Sequence, residues 1–259
     1  MNKEVFMSES LYVPMYQLPE NMQDGTVSML EGDIKGTYPF YHKISVGSVL
    51  QFGLYPERQR VLFILSGKCV FIQDGQTFSA KERASVIPDP DIAFTIKAEE
   101  TTSVFEITWD LTQADKKELQ NCRPEYPIIQ LYSKCPQYTE NFKSDRTISR
   151  TIVRHNILPR FSMGSNEAEE NDRVELNNHP AIDQYFFSFP ENDVNLLIED
   201  KKIHFTGNTL VHIPLGCYHG VEIGKRQKMH YIWIDFIVDE EAGIQYLNTV
   251  HQPLKNKED

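Results

Sequence analysis

The sequence predicts an all-β protein built from two tandem antiparallel barrels, with few short helices. The first observation is a series of short β-branched and aromatic runs, such as RVLFILSG at 60–67 and TSVFEITWDL at 102–111. Turn residues separate these runs at spacings of roughly 8–12 residues, which is typical of sandwiches and barrels rather than of βαβ units. The second observation is the Asp74-Gly75 pair, which supplies the positive-φ residues of a type I′ hairpin turn.

The third observation is that the second half of the chain repeats the order of runs and turns found in the first half. In both halves an apolar run ends at a proline, Ile87-Pro88 in the first and Ile213-Pro214 in the second. An internal duplication of a small antiparallel barrel explains this repetition.

One short helix and one connecting segment are predicted between the two repeats. TQADKKELQNC at 112–122 consists of good helix formers behind a capping residue, Thr112. The stretch that follows is rich in proline and polar residues, which indicates a connection between halves. We therefore predict an N-terminal barrel over 1–125, a linker over 126–150 and a C-terminal barrel over 151–259.

Composition limits the classes of partner. Lys plus Arg number 26 and Asp plus Glu number 37, and the resulting net charge of −11 disfavours nucleic acids and anionic membranes as partners. No run reaches the roughly 18 apolar residues of a membrane span, and the N-terminus lacks a signal-peptide core. The four cysteines form no CxxC pair, which indicates a reducing compartment. A soluble, cytoplasmic protein is expected.

The most informative stretch is GNTLVHIPLGCYHGVE at 207–222, in which Pro214, Gly216 and His219 follow the pattern P-x-G-x-x-H. This pattern resembles the second motif of the cupin superfamily. The first cupin motif reads H-x-H-x4-E. If Gln184 of NNHPAIDQ takes the place of the glutamate, its two histidine places fall on Asn177 and His179. The resemblance implies a bicupin, with two tandem cupin-type jelly-roll β-barrels in one chain.

The same alignment leaves the first half without metal ligands. The corresponding places there are occupied by Gly53, Tyr55, Arg60 and Ala93. The N-terminal barrel is therefore predicted to be degenerate, with a structural role or a role as an interaction surface.

In the second half, the resemblance implies a metal set of His179, Gln184 and His219. A divalent ion (Zn, Mn, Fe or Ni) is expected there and only there, although the glutamine amide brings no charge to the set. The alternative is a metal-free pocket that these histidines line by hydrogen bonding.

A narrower resemblance concerns the bicupin uronate isomerases, 5-keto-4-deoxyuronate isomerase and 5-deoxy-glucuronate isomerase. It is carried by YFFSF after Gln184, by SRTIVRHNILP at 149–159 and by GCYHGVE at 216–222. It implies aldose–ketose isomerisation of a sugar acid, in which a base moves a proton between adjacent carbons. The candidate bases are Glu222 and Glu175. The candidate substrate-binding residues are His230, Arg154 and Arg173.

Two alternatives accompany the isomerase hypothesis. The first is a non-catalytic cupin that binds a small sugar or sugar acid at a metal-depleted site. The second is an oxygen-using iron cupin, which the missing carboxylate ligand disfavours. In each case the expected partner is a small carbohydrate, and edge strands of such barrels favour a homodimer.

Overall fold

The computed structural model describes residues 11–253 as a β-rich chain with two α-helices and one 3-10 helix at Tyr132–Lys134. The outer limits of the predicted barrels, at residues 1 and 259, lie outside the described residues. The elements of the first half are β1 (Met15–Gln17), β2 (Gly25–Ser28), β3 (Thr37–Ile44), β4 (Val49–Phe52), β5 (Arg58–Ser66), β6 (Cys69–Gln73), β7 (Gln76–Ala80), β8 (Ala84–Ile87), β9 (Phe94–Ala98), β10 (Thr102–Asp110), α1 (Gln113–Cys122) and β11 (Ile128–Leu131). Those of the second half are β12 (Gln137–Thr139), β13 (Ile148–Leu158), β14 (Phe161–Glu169), β15 (Asp172–Asn177), β16 (Ile182–Ser188), β17 (Asp193–Ile198), β18 (Lys201–Thr206), β19 (Thr209–Ile213), β20 (His219–Ile223), β21 (Lys228–Ile237), α2 (Glu240–Val250) and β22 (Gln252–Pro253).

The order of strand pairing repeats between the two halves. The first half has a six-stranded sheet in the order β2-β3-β10-β5-β8-β11 and a four-stranded sheet in the order β4-β9-β6-β7. In the second half the corresponding order is β13-β14-β21-β16-β19-β1, and β15-β20-β17-β18 follows the four-stranded order. The last position of the long sheet is thus taken by β1, a strand from the start of the chain. Pairing is antiparallel throughout, which agrees with the all-β part of the predicted fold class.

Two local predictions are confirmed. Helix α1 begins after Thr112, whose side chain accepts from the Asp115 backbone N–H while the Asp115 carboxylate accepts from the Thr112 N–H, as in a capping box. The turn between β6 and β7 has positive φ at both Asp74 (47°) and Gly75 (72°). These are the backbone angles that a type I′ hairpin requires.

The segment predicted as a linker, 126–150, carries ordered elements of its own. Strand β11 pairs with β8 of the first half, and β12 pairs with β13 and β22 of the second. This segment therefore belongs to the sheets of both halves.

The helix prediction missed α2, which follows the last long strand. The helix begins after Asp239, whose carboxylate accepts from the Ala242 N–H. Its apolar residues Ile244 and Leu247 pack against Ile182 and Ile237. The Asp cap and the apolar pair three residues apart were the available sequence signals.

The largest apolar core lies where the long sheets of the two halves pack on each other. Trp109 stacks on Phe161 with ring centroids 4.4 Å apart, and Phe105 stacks on Phe187 at 4.7 Å. A second cluster fills the first half and a third fills the second half, each between a long sheet and its four-stranded partner. Within the described range, neither helix combines the length and apolarity that crossing a membrane would require.

Candidate functional site

His219 is positioned by the turn between β19 and β20. The turn closes through a hydrogen bond from the Cys217 N–H to the Pro214 carbonyl, and Gly216 adopts φ of 77°. That conformation favours glycine because a side chain would be strained there. The turn delivers His219 as the first residue of β20, with its ring buried.

His179 comes from the loop between β15 and β16 and lies beside His219. The ring centroids of the two imidazoles are 5.0 Å apart. Strand pairing explains the proximity, since Asn177 at the end of β15 lies opposite His219 and donates from Nδ2 to its carbonyl. On its other side, His179 packs edge-on against Tyr246 of α2 at 4.8 Å.

Gln184 reaches the same cavity from β16. Its amide nitrogen donates to Oδ1 of Asp235 at 2.7 Å, so the amide oxygen is the atom left for other partners. Asp235 is fully buried, and burial raises the pKa of this carboxyl to about 7 against the opposing hydrogen bond from Gln184. The three residues of the predicted metal set thus line one cavity.

The cavity is small. Its volume is about 40 Å³, which is room for a few water molecules. Walls come from β15, β16, β20 and β21, and one side is covered by Tyr246 and Leu247 of α2 and by His251 just beyond it. Helix α2 therefore shields one side of the two histidines, of which His179 is half-buried.

A charged group that the sequence analysis did not identify forms another wall. Glu140 makes a salt bridge with Lys143 and a second, at 3.4 Å, with His251 Nε2. Lys143 also donates to Asn166 Oδ1 at 2.7 Å. Burial alone would raise the pKa of Glu140, but the charges of Lys143 and His251 outweigh it and lower that pKa to about 2.

Both predicted histidine ligands are neutral near pH 7. Burial lowers the pKa of His219 to about 4, and burial together with the neighbouring His219 lowers the pKa of His179 well below its usual range. The Nδ1 of His219 donates to the Cys217 carbonyl at 3.1 Å, which leaves Nε2 with its lone pair. The Nδ1 of His179 is buried, and among residues 11–253 it has no hydrogen-bond partner.

These features fit a divalent metal in one respect and depart from it in another. Neutral imidazoles with free lone pairs are the form in which histidine binds metals. Nevertheless, no cluster of three His, Cys, Asp or Glu suited to a metal ion occurs in the described part of the chain. The third protein ligand would have to be the Gln184 amide oxygen.

His230 lies outside the cavity, contrary to the expectation that it reaches a substrate. Successive residues of a strand face opposite sides, and Tyr231 and Trp233 of β21 are the ones that line the cavity. His230 instead hydrogen-bonds Glu191 at 2.6 Å and Tyr132 at 2.9 Å on the other face. The alternation along β21 is visible in the sequence, but it does not indicate which of the two faces lines the cavity.

The other predicted catalytic and substrate-binding residues are also outside the cavity. Glu222 follows His219 by three positions, so it points to the opposite face of β20, where it pairs with Lys202 at 2.6 Å. Glu175 pairs with Arg173 on the same outer surface. Arg154 is exposed on β13 and borders a hollow between the two halves.

Several cavity residues were not predicted, namely Tyr138, Glu140, Lys143, Asn166, Trp233, Asp235, Tyr246 and His251. For Trp233 and Asp235 the signal was present, because they alternate with Tyr231 along β21. For Glu140 and Lys143 no local signal existed, since they lie in the segment interpreted as a linker.

In the first half, strand register supports the alignment of Arg60 with Gln184. Arg60 lies opposite Thr108 of β10, as Gln184 lies opposite Asp235 of β21. Arg60 forms a salt bridge to Glu106 at 2.6 Å.

The sequence matches no protein-family model and no curated protein. Among solved structures, it is similar to a formate complex of oxalate decarboxylase from Lactobacillus farciminis (TM-score 0.68, 8% identity, 89% of this chain and 88% of that one). It is also similar to an IolB-like protein from Salmonella typhimurium (TM-score 0.66, 11% identity, 86% and 92%). A cupin 2 conserved barrel domain protein from Leptotrichia buccalis has a TM-score of 0.55 at 10% identity, with 88% and 98% covered. The chain therefore shares its fold with cupin-type proteins.

Proposed function

We propose that the chain is a bicupin whose C-terminal barrel, built mainly from the second half of the chain, acts on a small sugar acid. The repeated strand order of the two halves supports the two-barrel interpretation. The similarity in fold to cupin-type structures supports it further. The site belongs to the C-terminal barrel because its ligand places there hold two histidines, whereas those of the N-terminal barrel hold none.

The observation that carries the proposal is the pair of neutral histidines in one cavity, His219 buried and His179 half-buried, with ring centroids 5.0 Å apart. His179 and His219 would hold a divalent metal together with the amide oxygen of Gln184. When bound, the metal would polarise the carbonyl and hydroxyl oxygens of a sugar. The hydrogen bond from His219 Nδ1 to the Cys217 carbonyl fixes the ring orientation that this requires.

The proposed reaction is aldose–ketose isomerisation of a uronate-like sugar acid. Lys143 is the one lysine or arginine among the described residues that line the cavity, and it is the group that would meet the substrate carboxylate. Glu140 and Asp235 are the carboxyl groups that line the cavity, and they replace Glu175 and Glu222 as candidates for proton transfer. Because the cavity holds only about 40 Å³, a sugar enters by displacing α2.

The first experiment is metal analysis of protein purified without chelators, comparing wild type with His179→Ala and His219→Ala. About one equivalent of divalent metal is expected in the wild type and none in either variant, as for a site that loses one of two imidazole ligands. The control is His204→Ala, because His204 is exposed and pairs with Asp193 away from the cavity. Equal metal content in His204→Ala and His219→Ala would overturn the metal site.

The second experiment follows D-glucuronate with metal-loaded protein by proton NMR in D₂O. Conversion to the ketose with loss of the C2 proton and deuterium incorporation at C1 is expected, because the proton that moves from C2 to C1 exchanges with solvent on the way. Loss of conversion in Asp235→Asn, with glucuronate binding retained, would assign the proton transfer. No conversion by the wild type, with binding retained, would exclude the isomerase.

The second candidate function is a non-catalytic sugar-acid binder. One observation favours it: the third place of the predicted metal set is a neutral amide, and its nitrogen is already held by Asp235. In that case glucuronate binds equally well with and without added metal, and His219→Ala weakens binding without any change in metal content.

A further inference from the structure

The N-terminal half contains a polar pocket of about 240 Å³, six times the volume of the cavity around the histidines of the C-terminal half. It lies between β2, β3, β4, β5 and β10, on the side of the long sheet that faces the four-stranded sheet. Its polar floor consists of His42, Arg60, Glu106 and Thr108, and its rim carries Phe52 and Tyr55. This volume suits a small organic molecule.

Arg60 is the central group of this pocket. Its side chain is 10% exposed, and its Nε pairs with Glu106 Oε1 at 2.6 Å. Its guanidinium carbon lies 4.7 Å from the ring centroid of Tyr55 and 5.1 Å from that of Phe52. The contact with Glu106 is an ion pair without hydrogen-bond geometry at Nε, and no hydrogen bond to the two terminal nitrogens occurs within residues 11–253. The guanidinium is thus held by the charge of Glu106 and by its neighbouring rings, while its terminal nitrogens are left for a ligand.

Glu106 is fully engaged in holding this arrangement. Its second oxygen accepts from His42 Nε2 at 2.6 Å, and His42 Nδ1 hydrogen-bonds the Thr26 hydroxyl at 2.8 Å. Both carboxylate oxygens are therefore occupied by neighbouring side chains. Such a chain of hydrogen bonds, joined to Arg60 by the ion pair, fixes the guanidinium before any ligand arrives, which lowers the entropic cost of binding.

Two guanidinium groups, Arg58 and Arg60, line the pocket, and each has a carboxylate partner. Arg58 uses Nε to pair with Asp110 at 2.8 Å, and Arg60 pairs with Glu106. The group that favours an anionic ligand is therefore Arg60 with its terminal donors, rather than a net charge of the pocket.

We propose that this pocket binds a small hydroxylated carboxylate, such as a monomeric sugar acid. The terminal nitrogens of Arg60 present the planar pair of donors that matches a carboxylate. Phe52 and Tyr55 offer aromatic faces to the apolar side of the ligand, and the Thr108 hydroxyl and Gln51 amide offer partners to its hydroxyl groups. The pocket shares no residue with the His179–His219 cavity, so this proposal does not depend on the function proposed for that cavity.

The test is isothermal titration calorimetry with D-glucuronate as the probe and D-glucose as its neutral counterpart. His219→Ala protein is used, so that binding at the C-terminal site does not contribute to the signal. One equivalent of glucuronate is expected to bind, with glucose at least about tenfold weaker, because glucose lacks the carboxylate. Absence of glucuronate binding, or equal binding of glucose, would overturn the proposal.

Variants of Arg60 locate the site. Arg60→Gln is expected to weaken the binding of glucuronate at least about tenfold. Arg60→Lys should weaken it less, because lysine keeps the charge but loses the paired donors. Arg60→Gln leaves Glu106 without its cation and can unfold the protein. The double variant Arg60→Gln/Glu106→Gln removes both charges and is expected to show the same loss of binding. Unchanged glucuronate affinity in the folded double variant would place the ligand elsewhere.

Discussion

The imidazole rings of His179 and His219 lie with their centroids 5.0 Å apart, although one belongs to a loop and the other begins a strand. The antiparallel pairing of β15 with β20 brings Asn177 opposite His219, and the chain then turns His179 toward the same cavity. Burial keeps both rings neutral, so the pair adds no charge repulsion to the folded state. The arrangement therefore offers lone pairs at little electrostatic cost.

Added divalent metal should stabilise the folded protein through this pair. With free Mn²⁺ at about 100 times its dissociation constant, the expected gain is about 2.7 kcal/mol, because metal binds only the folded state. The measurement is the melting temperature of chelator-treated protein with and without Mn²⁺. His204→Ala should show the same rise as the wild type and His219→Ala none. A full rise in His219→Ala would place the bound metal elsewhere.

Stability should fall at acidic pH partly through Glu140. The folded protein holds the pKa of this carboxyl at about 2, below its ordinary value of 4.5, because Lys143 and His251 outweigh the effect of burial. A lowered pKa contributes stability above pH 4.5, and this contribution is lost as the pH falls toward 2. The contribution at pH 7 is about 3 kcal/mol.

The check is the free energy of urea unfolding of wild type and Glu140→Gln between pH 7 and pH 3. The gap between the two should be largest at pH 7 and should narrow below pH 4.5. Glu175→Gln serves as the control because Glu175 lies on the exposed outer surface. A gap that stays constant with pH would contradict the role of the Glu140 charge.

Gly164→Ala should be strongly destabilising. A Cβ at this position of β14 would lie 2.1 Å from Cζ2 of Trp233 and 2.3 Å from the backbone oxygen of Arg150. Overpacking of this kind costs about 3 kcal/mol, and it would press Trp233 toward the cavity it lines. Urea unfolding measures the loss. Gly53→Ala is the matched control, since nothing lies within 4 Å of its Cβ position, and an equal loss there would contradict the steric explanation.

Leu247→Ala should open the cavity by loosening α2. Leu247 is 2% exposed and packs with Ile182 and Ile237 beneath the helix. Truncation of this side chain is expected to lower the free energy of unfolding by about 3 kcal/mol, mainly because α2 packs less well on the sheet. Backbone amides of α2 should then exchange with deuterium faster than those of β16. Gln245→Ala, on the exposed face, should leave the exchange unchanged, and equal exchange in both variants would show that Leu247 does not hold the helix.

Local sequence signals predicted the local structure well. The cap at Thr112 and the Asp74-Gly75 turn appear as expected, because each depends on hydrogen bonds or backbone angles within a few residues. His179, Gln184 and His219 also line one cavity, because the pairing of β15 with β20 brings the loop that carries His179 next to His219.

The remaining site residues could not be predicted from local sequence signals. Their positions depend on which face of a strand is buried and on segments that are distant in the sequence. Alternation in β21 was recognised, but it gives two faces, and only the packing of the two long sheets decides that His230 belongs to the interface between halves. Glu140 and Lys143 come from a segment whose composition indicates a connection. Helix α2 was missed because its stability comes from packing on Ile182 and Ile237 more than from its own residues.

The pairing of β1 with the second half of the chain has a consequence for folding during synthesis. Gln17 of β1 pairs with Thr209 of β19, so β1 waits for its partner strand while the intervening part of the chain is synthesised. At ordinary translation rates this interval is on the order of 10–40 s, during which the nascent chain carries a strand without its neighbour. The first half can assemble its own sheets in that time, since its strands pair among themselves as far as β11. The long sheet of the second half therefore completes its outer edge with a strand that is synthesised well before the partner strand β19.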